Sequence, residues 1–134
     1  MPDVLVDSSV LLDVLTEDER WFDWSSRELA RSAEQGSLVI NPVVYAEVSI
    51  RFRRIEDLDE VLGADFERRP LPWPAAFLAG KTFVAYRRRG GSRAPLPDFF
   101  IGAHAAVEGL ALLTRDESRY RHCFPTVRLI APRP

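Results

Sequence analysis

The segment Val4-Leu5-Val6 is wholly apolar and stops at Asp7. A strand wetted on one face alternates apolar with polar residues. An unbroken apolar run instead suits a strand buried on both faces, which is the condition of strands in parallel sheets covered by helices on each side. Leu38-Val39-Ile40 reads as a second strand and Leu110 to Thr114 as a fourth. Parallel neighbours need a crossover of a dozen or more residues, usually helical. The intervening sequence supplies one each time.

Ser8 or Ser9 is placed to cap the Val10-Leu11-Leu12 segment. A longer helix follows, in which Phe22, Leu29 and Ala33 recur near helical spacing before Gly36 stops it. Asn41 and Pro42 form a cap and first-turn pair for a helix over 43–52, with Val43, Val44, Ala46, Val48 and Ile50 on its apolar side. Ile55, Leu58 and Leu62 mark another helix. A third strand near Phe66 to Leu71 is interrupted by Arg68, Arg69 and Pro70. Pro74 opens a helix that runs to Arg88 and ends at Gly90-Gly91, and Ser92 to Pro97 form a proline-containing loop. Asp98 then caps a helix marked by Phe100, Ala103, Val107 and Leu110, which Gly109 helps to end. Val127 to Ile130 is a last, edge strand. This alternation predicts an α/β fold: a three-layer sandwich with a four- to five-stranded parallel sheet flanked by helices, built from right-handed crossovers.

The 134 residues make one domain, 1–134, able to bury roughly 65–70 % of the surface that the unfolded chain exposes. With 46 % apolar and 28 % charged residues, the chain is neither a disordered tail nor a fibrous protein. Cys123 has no second cysteine to pair with, and His104 and His122 add too few soft ligands for a structural zinc. No stretch approaches a signal-peptide core or the ~20 apolar residues of a membrane span, so a cytoplasmic protein is expected. The net charge of −2 gives no overall attraction to nucleic acid, yet seventeen of the eighteen basic residues are arginine, with Lys81 the exception. A GC-rich genome would explain that skew equally well. Local clustering is more informative: Arg51, Arg53 and Arg54 form one knot, and Arg87, Arg88, Arg89 and Arg93 form another just before Asp98.

Four acidic residues stand where the chain leaves a strand or opens a helix: Asp7, Glu47, Asp98 and Asp116. A parallel sheet aligns its strand ends along one edge, so residues this far apart in sequence can meet there. Taken singly, each aspartate could simply cap a helix, a contribution of ~1 kcal/mol. Glu47 differs. It falls within the apolar arc of its helix, where a carboxylate needs compensation, either from Arg51 one turn later or from a cation. Four hard oxygen groups suit one or two Mg²⁺ or Mn²⁺ ions, which keep several waters and relieve the repulsion among the carboxylates. In phosphodiester hydrolysis such ions activate the attacking water and stabilise the leaving oxygen. Ser8 and Thr114 are placed to orient ligands or phosphate, or to serve as ordinary capping hydroxyls.

These motifs carry a family resemblance. DSSVLLD at the start, AE at Ala46-Glu47, PDFFIGAHAAVEGLALLTRD from Pro97 to Asp116 and a closing strand resemble a PIN domain over essentially the whole chain. Within that group the chain most resembles a VapC-type toxin of a prokaryotic toxin–antitoxin pair. The resemblance implies a Mg²⁺- or Mn²⁺-dependent endoribonuclease with Asp7, Glu47, Asp98 and Asp116 as its acidic pocket and Ser8 and Thr114 as supporting hydroxyls. Asp7 and Asp98 are the implied direct metal ligands, with Asp116 and Glu47 reaching the metal through waters. Many relatives have threonine where Ser8 stands. The resemblance also implies a homodimer and an inhibiting cognate antitoxin that threads a peptide over the groove.

Phosphate contacts dominate RNA affinity, which makes Arg115 and the loop of Arg87, Arg88, Arg89 and Arg93 the candidate RNA-binding residues, unless the loop only complements a helix dipole. Trp21, Phe22 and Trp24 exceed one helix stripe and suit either a groove for a partner or the core; His104 is expected to pack. Rival readings fit less well. A haloacid-dehalogenase-type phosphotransferase wants a second aspartate two residues after the first, where Ser9 stands, and a receiver domain wants a lysine at a late strand end, whereas Lys81 lies in mid-helix. A PIN fold that binds without cutting, or a nuclease for ribosomal RNA processing or DNA, stays open.

Overall fold

In a computed structural model describing residues 3–91 and 95–133, five parallel strands form one sheet. They are β1 (Val4–Val6), β2 (Leu38–Ile40), β3 (Phe66–Arg68), β4 (Ala111–Leu113) and β5 (Leu129–Ile130), in the spatial order β3-β2-β1-β4-β5. Every residue of β1, β2 and β4 is buried, which is why those runs carry no polar side chain. The edge strand β3 tolerates exposed Glu67 and Arg68 because one of its sides has no neighbour to pair.

Two helices precede each of the first three returns to the sheet and one precedes the last. These are α1 (Ser8–Leu15) and α2 (Phe22–Gln35), α3 (Pro42–Ser49) and α4 (Ile55–Leu62), α5 (Trp73–Arg88) and α6 (Leu96–Glu108), then α7 (Glu117–Arg121). The chain steps from β1 through β2 to β3, then returns to β4 on the other side of β1. Right-handed crossovers on opposite faces follow, with a crevice between the carboxyl ends of β1 and β4. Val6 pairs with Leu113 there, so Asp7 and Thr114 leave the sheet side by side.

Several local expectations shift. Ser8 and Ser9 lie inside α1, whose N-cap position is Asp7. Asp98 is not a cap either: α6 begins at Leu96, with Pro95 at the cap position and Pro97 in the first turn, where a missing N–H costs nothing. The buried face of α2 runs through Ser25, Glu28 and Ser32, and Ala33 is exposed, because Ser25 Oγ donates to buried Asp13 at 2.8 Å and turns that face inward. In α6, Phe99, Ile101, Gly102, Ala103, His104 and Ala105 are all buried, while Val107 is exposed. Gly102 is needed there, since a Cβ would lie 2.3 Å from the Phe124 ring. The helix α7 has no counterpart in the sequence reading. Among the described residues, no helix is long and apolar enough to cross a membrane.

Candidate active site

Asp7 follows β1 and is almost wholly buried, yet its carboxylate does not cap α1. Instead Oδ2 accepts from Thr114 Oγ1 at 2.8 Å and from Ser9 Oγ at 2.9 Å. Thr114 Oγ1 in turn accepts the Asp116 backbone N–H at 3.0 Å, and Ser9 Oγ accepts the Arg115 N–H at 3.3 Å. Two hydroxyls thus tie the end of β1 to the end of β4. Burial pushes the Asp7 carboxyl above its ordinary value; the Thr114 and Ser9 hydroxyls oppose the shift and the Asp116 charge adds to it.

Glu47 reaches the same place from α3. Its compensation is Ser8, whose Oγ donates to Glu47 Oε1 at 2.9 Å; among the described residues Arg51 makes no ion pair with it. Partial burial raises the Glu47 pKa, Ser8 holds it down, Asp7 raises it and Arg119 lowers it. Asp98 arrives from the first turn of α6 and is buried. Its carboxyl is raised to about 6, first by desolvation, with Arg119 opposing and the charges of Asp7, Glu47 and Asp116 adding. Asp116 holds the N-cap position of α7 but, like Asp7, does not cap with its side chain. The four carboxylates therefore share one electrostatic neighbourhood, each from a different segment of the fold.

The helix α7 adds two groups that the sequence reading passed over. Arg119 Nη1 lies 3.2 Å from Asp98 Oδ2 and 3.5 Å from Oδ1, and Nε lies 3.9 Å from Asp116 Oδ2. Tyr120 is fully buried, and its hydroxyl helps to hold the Asp7 carboxyl down as a hydrogen-bond donor, although no bond of ordinary geometry forms. Burial raises the phenol's pKa, as do the nearby charges of Asp7, Asp98 and Glu47, so this donor lies in the field of three carboxylates. The only trace in the sequence was the i, i+3 spacing of Asp116 and Arg119.

The donor set of four carboxylates, with the Tyr120 hydroxyl beside Asp7, fits a hard divalent cation. Among the described residues, no three Asp, Glu, His or Cys side chains form a group that could hold an ion as they stand.

Arg115 is engaged beside the site: Nε donates to buried Asp13 at 3.0 Å, and the guanidinium lies over Trp21 at 5.6 Å. Trp21 stacks edge-on with Trp24 at 6.2 Å, and Trp24 packs against the core. Arg87 and Arg88 end α5 and Arg89 occupies its C-cap position, all three exposed. Arg89 lines a hollow with His122 and Cys123, at the far end of α7 from Asp116. Arg93 lies outside the described residues. His104 packs as expected, wholly buried, with Nδ1 3.0 Å from Asn41 Nδ2 and Nε2 2.8 Å from Glu108.

No curated protein matches the chain. Solved structures do. VapBC2 from Rickettsia felis, bound to a promoter DNA fragment, aligns with a TM-score of 0.75 at 16 % identity over 96 % of this chain and 97 % of that one. VapBC-1 from nontypeable Haemophilus influenzae gives 0.73 at 14 % identity over 96 % of each chain. A toxin–antitoxin complex from Klebsiella pneumoniae gives 0.64 at 18 % identity over 97 % of this chain and 98 % of that one. At these identities the likeness is one of fold. A family model for the PIN domain matches residues 4–125, a span that holds the sheet through β4 and all four carboxylates. The chain belongs to the PIN-domain family.

Proposed function

We propose that this PIN domain is a Mg²⁺- or Mn²⁺-dependent endoribonuclease acting as the toxin of a type II toxin–antitoxin pair. The reading is carried by the meeting of Asp7, Glu47, Asp98 and Asp116 at the β1–β4 crevice, with none of the three aspartates serving as a side-chain helix cap. Structural neighbours that are VapBC and toxin–antitoxin complexes support the toxin role.

Asp7 and Asp98 would hold the cation directly, with Glu47 and Asp116 reaching it through waters. Bound there, it would supply the acidity that lowers the pKa of an attacking water and the charge that offsets the phosphate's. The chain's own groups set the geometry. Thr114 and Ser9 both hold Asp7 Oδ2, which fixes the direction of the carboxylate. Ser8 fixes Glu47, whose raised pKa suits it to accept a proton from the attacking water. Arg87, Arg88, Arg89 and Arg93 supply phosphate contacts along the RNA, and Arg115 contributes through the guanidinium donors its Nε bond to Asp13 leaves over. A homodimer and a cognate antitoxin would cover apolar surface such as Trp73 and Phe77 of α5, which are 88 % and 69 % exposed.

The test is a map of newly created 5′ RNA ends in a bacterial transcriptome after inducing wild type or Asp98→Asn. Sharp ends confined to wild type are expected, and they name the RNA cut. Identical maps from folded, metal-loaded proteins would overturn the nuclease reading in favour of a PIN fold that only binds.

A further inference from the structure

A guanidinium already occupies the acidic pocket. Arg119 faces Asp98 at 3.2 Å and Asp116 at 3.9 Å, and its charge also holds Glu47 down. No other cation among the described residues pairs with any of the four carboxylates. Arg115, the neighbouring arginine, is committed to Asp13 instead. Arg119 differs from a buried structural ion pair in one respect: 49 % of its side chain is exposed, while Asp98 beside it is 5 % exposed. The carboxylate is fixed and the cation can leave.

We propose that Arg119 is a resident counter-cation, pairing with Asp98 and Asp116 in the metal-free pocket, giving way when a divalent cation enters, and then holding an RNA phosphate at the pocket rim. This rests on the ribonuclease reading above. A half-exposed ion pair is weak enough to be exchanged, and a divalent ion attracts the same oxygens with twice the charge. Released, the guanidinium keeps its fork of donors, which matches two phosphate oxygens at once. Lysine in its place could balance the charge but not form the fork.

Two measurements on the intact protein test this. The first is Mn²⁺ affinity, read from the electron paramagnetic resonance of free Mn²⁺ during titration of wild type, Arg119→Gln and Arg119→Lys, with folding confirmed by circular dichroism. Removing the competing charge is expected to tighten Mn²⁺ binding about five- to tenfold in Arg119→Gln, with Arg119→Lys near wild type. The second is the salt dependence of binding to a single-stranded RNA 20-mer in Ca²⁺ buffer, where losing one phosphate contact should lower the log–log slope by about one in Arg119→Gln. Unchanged or weaker Mn²⁺ binding by Arg119→Gln, with wild type binding normally, would overturn the counter-cation alone. No Mn²⁺ bound by either protein would overturn both it and the metal-dependent nuclease.

Discussion

Thr114 Oγ1 donates to Asp7 Oδ2 at 2.8 Å, joining residues 107 positions apart across the ends of two neighbouring strands. The same oxygen accepts the Asp116 N–H, so one hydroxyl sets the direction of one carboxylate and the backbone of another. Thr114→Val keeps the shape and removes both bonds. We expect a loss of about 1–3 kcal/mol in urea unfolding and a clear weakening of Mn²⁺ affinity, with Thr114→Ser restoring most of both. Wild-type metal affinity in a destabilised Thr114→Val would show that the hydroxyl serves the fold alone.

Asp98 carries a pH signature. Its carboxyl titrates at about 6 in the folded protein, above the ordinary 3.8. The folded state therefore binds the proton more tightly than the unfolded chain, and stability falls as pH rises between about 4 and about 6. The cost is absent below that window and fully present above it. In EDTA, the melting temperature of Asp98→Asn minus that of wild type should grow across this window and level off above it. A difference that stays constant with pH would mean Asp98 is not held protonated by its surroundings.

The strands β1, β2 and β4 and two of the four acidic positions, Asp7 and Asp116, are legible in the sequence for a common reason: a doubly buried strand leaves an apolar run, and its end leaves polar residues. Glu47 is legible because a carboxylate interrupts an apolar arc. What escaped notice depends on partners distant in sequence. Ser25 reads as a surface serine until Asp13 is placed opposite it. The all-round burial of α6 is invisible to a one-stripe pattern, because that helix is enclosed by α5, α3 and α7. Glu117–Arg121 is too short and too charged to show a period, so nothing in that segment's own pattern marks Arg119 and Tyr120. Pro95 and Pro97 displaced Asp98 from the cap position that its place before an apolar stretch suggested.

Ser8 is bonded to Glu47 and to no other side chain among the described residues. Ser8→Ala frees the carboxylate to rotate and lets its raised pKa climb further, since the hydroxyl is what opposes burial most. RNA cleavage should fall about tenfold or more and its pH profile should shift upward, while the melt moves by less than about 1 kcal/mol in stability. Ser8→Thr should restore the rate. An unshifted profile with full activity would remove Glu47 orientation from the mechanism.

Tyr120 tests how far α7 serves the pocket. Its hydroxyl is buried and helps to hold the Asp7 carboxyl below where burial alone would push it. Tyr120→Phe removes that donor and keeps the ring in the core. The Asp7 carboxyl should then rise further, and because a metal ligand must be deprotonated, Mn²⁺ affinity should weaken about two- to fivefold at mildly acidic pH and recover as the pH rises. Stability in EDTA should move by less than about 1 kcal/mol, since the packing is kept. Mn²⁺ titrations at two pH values and a urea titration in EDTA measure these differences. Unchanged affinity at both pH values would remove the Tyr120 hydroxyl from the pocket and leave the ring a purely structural part.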